Sequence, residues 1–134
     1  DGGVMSINLK NNKKKRNIFN NLKMPHSIKR FKNKFYIIDS LRGELISSKK
    51  NIVKFEGFIR GLDIDDEYIY LGKSKNRNFI IKNSKNINKS IDSGIIIYHQ
   101  GTEFYKIIQL TQFNVNEIHE VVCIKWFLVK KFFF

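Results

Sequence analysis

Short apolar runs separated by polar turns recur along this chain at a spacing of roughly 8–12 residues, which is the pattern of an all-β protein. Residues 4–9 read as a strand, and Ile18-Phe19 starts its partner across a basic turn. Residues 27–31, the turn Lys32-Asn33-Lys34 and residues 35–39 make a hairpin, and residues 43–46 and 52–55 make the next pair. Residues 61–64 and 68–72 flank the acidic turn Asp65-Asp66-Glu67, and residues 94–99 and 104–110 flank Gln100-Gly101-Thr102. Residues 118–124 read as a last strand, and the polar stretch 73–93 as a long loop. A 3.6-residue apolar period is missing except for a weak one near the C-terminus, so helix is expected only in 125–134 or 73–93.

The runs fall into units. Pro25-His26-Ser27-Ile28 precedes a turn and a strand, and so does Ile59-Arg60-Gly61-Leu62, 34 positions later. A third start, Glu117-Ile118-His119-Glu120, follows the long loop. Units of this size holding several short strands suggest antiparallel propeller-type blades. The expected fold is therefore all-β, an incomplete ring of about two to three blades.

Composition adjusts this picture in three places. The chain has no alanine and a single proline, Pro25, and is rich in Ile, Phe and Tyr, which favours sheet over helix. Its 42% hydrophobic content suffices for a packed core, and its one cysteine, Cys123, allows neither an internal disulfide nor a cysteine zinc site. No run of apolar residues is long enough to cross a membrane, and no signal peptide is recognisable, so the expectation is a cytoplasmic protein without a membrane partner.

The 134 residues carry a net charge of +13, of which residues 1–34 hold +9. Such a charge suits an anionic partner, nucleic acid included. Lys, Asn, Ile and Phe make up about half the chain, however, and all four are read from A/T-rich codons, so genome composition explains much of the lysine. No aromatic residue falls between Lys10 and Arg16 to stack a base, so a solvated hairpin tip is the preferred reading and nucleic acid is ranked last.

Three stretches carry a family resemblance. They are Met24-Pro25-His26-Ser27 with Arg42-Gly43-Glu44-Leu45; Gly57-Phe58-Ile59-Arg60-Gly61-Leu62 with Gly72-Lys73-Ser74-Lys75 and a nearby Arg77; and residues 94–98 with Glu117-Ile118-His119-Glu120-Val121. In this combination the chain resembles a bacterial family of unknown function whose members look like β-propellers of several hundred residues. It departs from the pattern at Leu41-Arg42, at His119 and at Glu120. The resemblance implies a partial propeller domain over residues 1–124 and an aromatic, basic tail over 125–134 that lies outside it. The stretch as a whole reads as a fragment of a larger ring, whose tail either covers an open blade face or drives association.

In propellers, equivalent positions of successive blades converge near the axis. His26, Arg60 and His119 head the units, so they are the first channel-facing candidates, and two imidazoles and a guanidinium suit an anionic or carbonyl-bearing ligand. Glu44, Lys73 and Glu120 complete the candidate set. Catalytic signatures are weak. His26 and Ser27 are adjacent on a strand and point to opposite faces, so they form no nucleophile–base pair. No G-x-S-x-G elbow or glycine-rich phosphate loop occurs. The resulting expectation is a non-catalytic module that binds a small molecule or a protein and needs no cofactor. The alternative is a metal-dependent hydrolase or lactonase propeller using Glu44, Glu117 or Glu120 as hard-cation ligands. A basic nucleic-acid-binding fragment stands third.

Overall fold

A computed structural model describes residues 2–10, 15–48, 50–75 and 92–124. Among them the chain forms ten strands: β1 (Gly2–Ile7), β2 (Lys15–Leu22), β3 (Pro25–Phe31), β4 (Lys34–Asp39), β5 (Glu44–Ser47), β6 (Lys50–Lys54), β7 (Phe58–Ile64), β8 (Tyr68–Ser74), β9 (Gly94–His99) and β10 (Tyr105–Gln109). They build three antiparallel sheets: the hairpin β1-β2, the four-stranded β3-β4-β5-β6 and the four-stranded β7-β8-β9-β10. None of the three is closed on itself.

Turn chemistry fixes the hairpins. Between β3 and β4, Lys32 and Asn33 both take positive φ, 43° and 62°, the two-residue turn whose twist matches the flanking strands. Between β7 and β8 the carboxylate of Asp65 accepts the N–H groups of Glu67 and Tyr68 at 2.9 and 2.7 Å, so one residue of the acidic cluster organises the turn.

The sheets are stacked. One face of β3–β6 supplies Tyr36, Ile38 and Leu45 to a core completed by Phe55 and by Ile59, Leu62, Ile64, Ile69, Leu71, Ile96 and Tyr98 of the second four-stranded sheet. The opposite face supplies Ile37 and Ile46, which close on Phe19 and Leu22 of the β1-β2 hairpin. The middle sheet is thus covered on both sides. Successive side chains of a strand point to opposite faces, so Tyr36, Ile37, Ile38 and Asp39 are buried in a row rather than alternately. Asp39 is fully buried, and its carboxylate accepts the Lys23 N–H and the Arg42 guanidinium, each at 2.9 Å, which ties the exit of β2 to the β4-β5 turn.

Two expectations need correcting. Residues 118–124 form no strand. Their backbone is bonded to side chains in place of a ladder: the Ser74 hydroxyl accepts the Ile118 N–H at 2.9 Å and donates to the Ile118 carbonyl at 3.1 Å, and Asp63 accepts the Cys123 N–H at 2.6 Å. Lys75 N–H adds a bond to the Asn116 carbonyl at 2.9 Å. Helical structure among the described residues is a single 3-10 turn, Thr111–Phe113, where neither expected segment lies; it follows β10 directly and ends on Asn114 in the left-handed region, φ 59°. The expectations for Arg77, for most of the 73–93 loop and for the tail 125–134 lie outside the described residues.

Candidate functional site

The site begins with an irregularity that β3 and β7 share. In β3, His26 pairs with Ile38, and the register then breaks before Lys29 pairs with Tyr36; Ser27, inside the break, has φ 53°. In β7, Arg60 pairs with Gly72, and the register breaks before Leu62 pairs with Leu71; Gly61, inside the break, has φ 74°. Both are β-bulges, which re-aim the side chain beside them. They sit one on the other, since the Gly61 N–H donates to Ser27 Oγ at 3.0 Å. A third layer follows. The open side of Gly61 is filled by the backbone of Glu120 and Val121, whose atoms stand 2.8–3.0 Å from where a Cβ would be.

This stacking brings His26, Arg60 and His119 together. The ring of Phe58 contacts the first two: it meets the His26 ring edge-on, with centroids 6.1 Å apart and planes at 75°, and carries the Arg60 guanidinium 5.8 Å from its centroid. Burial, and then the positive charges of Arg60 and His119, push the His26 imidazole below its usual range. His119 is exposed, and its Nε2 stands 3.4 Å from the Glu117 carboxylate. Arg60 is half-buried; its Nε is buried without a hydrogen-bond partner, and the guanidinium has no carboxylate partner among the described residues.

The other candidates are placed differently. Glu120 is exposed next to His119, with its backbone on Gly61. Glu44 pairs across β4-β5 with Asp39, one step from the Ile38 that faces His26, and so belongs to the opposite face of the sheet. There it borders a cleft of about 390 Å³ with Phe19, Asn20 and Arg42. Lys73 is buried, and its ammonium pairs at 2.7 Å with Asp92, which lies just before β9 and is partly exposed. Among the described residues no three His, Cys, Asp or Glu side chains stand close enough to share a metal ion. Sequence reasoning passed over Phe58. It lies two residues before Arg60 on one strand, hence on the same strand face, and that spacing was the available signal.

A chain of stacked antiparallel sheets, with a cationic cluster at the junction of three successive layers, defines an all-β protein class rather than an activity. Residues 1–130 match the family described as Domain of unknown function (DUF4915), and the chain belongs to that family. No curated protein and no solved structure gives a significant match. No helix among the described residues is long and apolar enough to cross a membrane.

Proposed function

We propose that this chain is a non-catalytic binding module whose four-stranded sheets are blades of a propeller-type ring, and that it takes its ligand at His26, Arg60 and His119. The observation that carries this reading is Arg60, a half-buried guanidinium whose buried Nε–H has no hydrogen-bond partner and which pairs with no carboxylate among the described residues. A native protein leaves such a donor unmet rarely, and sites that receive an ion or ligand are among the exceptions. The repeated bulge at His26-Ser27 and Arg60-Gly61 supports the blade reading, because it sets one equivalent side chain per layer on a common line.

The metal-dependent hydrolase reading receives less support. It needs carboxylates among Glu44, Glu117 and Glu120 to converge, and Glu44 belongs to the other face of its sheet, while no three His, Cys, Asp or Glu side chains among the described residues come together. Nucleic-acid binding at the basic N-terminal third also receives less support: the rings of Phe31 and Phe35 there contact Lys32 and Arg30, at 5.2 and 5.9 Å, and no aromatic residue falls between Lys10 and Arg16.

A ligand-observed NMR screen of small anionic, neutral and cationic compounds tests the proposal. Hits should shift the ring signals of His26 and His119 and be lost in Arg60→Ala. Hits that leave both histidines unmoved, or turnover of a sugar, lactone or ester that disappears in His26→Ala, would overturn it.

A further inference from the structure

We infer that the group recognised at this site is the carboxylate of a monoanion with an apolar body, gripped side-on by the Nε–H edge of Arg60. This rests on the binding reading above and adds the ligand's chemical class.

Three observations lead there. The first is which donor of Arg60 lacks a partner. A guanidinium offers a planar fork, and its Nε–H edge together with the neighbouring Nη–H matches the two oxygens of a carboxylate in one plane. In Arg60 the buried atom without a partner is Nε itself. The end-on Nη pair, the edge that meets solvent most readily, is therefore not what requires filling.

The second is charge balance. Arg60 contributes one fixed positive charge. His26 is driven towards its neutral form by burial and by the cations beside it, and the exposed His119 stands beside two carboxylates, Glu117 at 3.4 Å and its chain neighbour Glu120. Arg60 is thus the one fixed positive charge among these residues, and one carboxylate matches it. A phosphate dianion would bring a second negative charge beside Glu117 and Glu120, and an uncompensated charge in a half-buried site is strongly disfavoured.

The third is Phe58. Its ring contacts both His26 and Arg60 and gives the site an apolar wall beside the guanidinium. A ligand body that lies against it gains by leaving water, and an aryl or branched alkyl group does so best.

The test uses the full chain and three probes: benzoate, its neutral isostere benzamide, and inorganic phosphate. Their binding is followed through the imidazole signals of His26 and His119 and the Nε–H signal of Arg60. Benzoate should shift all three saturably, with the Nε–H moving as a newly hydrogen-bonded proton, and should bind at least about tenfold more tightly than either other probe, as a charge-assisted fork does over a neutral or mismatched partner. Arg60→Lys keeps the charge but removes the fork, and should weaken benzoate roughly tenfold or more while leaving the urea midpoint close to that of the parent. If phosphate binds as well as benzoate, or the lysine variant binds benzoate unchanged, the carboxylate inference is wrong. If benzamide shifts the histidines as strongly as benzoate does, the binding module stands and the carboxylate does not. If none of the probes moves either histidine and the broader screen also fails there, the binding reading falls too. Should the lysine variant unfold, the Arg60 Nε–H signal in the unmodified chain decides alone: no shift with benzoate overturns the inference.

Discussion

Gly61→Ala separates a packed third layer from a loosely apposed one. Gly61 has φ 74°, a backbone region that costs an L-residue roughly 1–2 kcal/mol. The new Cβ would also stand 2.8 Å from the Val121 nitrogen and 2.9 Å from the Glu120 carbonyl carbon. Both are backbone atoms and cannot rotate aside, so the 118–124 segment must move; overpacking of this kind costs typically about 1–3 kcal/mol. The two together come to about 3 kcal/mol. With a urea m-value of about 2 kcal/mol/M, the unfolding midpoint should fall by roughly 1.5 M. A second readout comes from the site. If the segment lifts, the His119 charge recedes from His26, and the His26 pKa should rise towards its ordinary value of 6.5, because His119 is one of the groups that lower it. An alanine variant with an unchanged midpoint and an unchanged His26 titration would refute the packing of Glu120-Val121 on Gly61, and with it the three-layer site.

Further expectations concern the same supports. Ser74→Ala removes the hydroxyl that bonds both the N–H and the carbonyl of Ile118, leaving two buried backbone groups unmet; calorimetry should show a loss of about 2–3 kcal/mol, and ring shifts at His119 should accompany it. Asp92→Asn leaves the buried Lys73 ammonium without its counter-charge and should destabilise by about 3 kcal/mol, more than the double replacement Lys73→Met with Asp92→Asn; equal losses would mean that the pair is solvated. For pH, the sign follows from His26. Its folded pKa lies below 6.5, so the unfolded chain binds the proton first, and urea midpoints should fall as pH drops through 6.5 towards the folded value and level off below it. His26→Gln should flatten that part of the profile.

The strands were legible because turn chemistry and apolar runs mark them. Lys32-Asn33 and Asp65 occupy turns expected from the sequence, and the unbroken run Phe35-Tyr36-Ile37-Ile38 belongs to a sheet covered on both faces. Residues 118–124 misled, because Ile118, Val121, Val122 and Ile124 carry strand composition. What decides their conformation is Ser74 and Asp63, distant in sequence, taking the hydrogen bonds that a ladder would have used. The site was partly legible. His26 and Arg60 head units of similar pattern, yet the bulges that aim them rest on backbone angles at Ser27 and Gly61, and a serine in the left-handed region gives no sequence signal. Lys73 shows the limit from the other side: a lysine in a motif reads as a ligand-binding group until its partner, Asp92, is seen nineteen positions on.

Among the described residues every strand pairing joins neighbours in the chain, from β1-β2 through β9-β10. Ladders therefore close short loops, apart from the one long connection between β8 and β9, and little loop entropy stands in their way. The links between layers, such as Ser27 to Gly61 and Asp63 to Cys123, span 34 and 60 positions. Folding rates fall as contacts become less local. Each sheet should then assemble early as its own unit, with stacking as the slow step, so that the cluster of His26, Arg60 and His119 is the last part of the molecule to come into being on refolding and the first to be lost on unfolding.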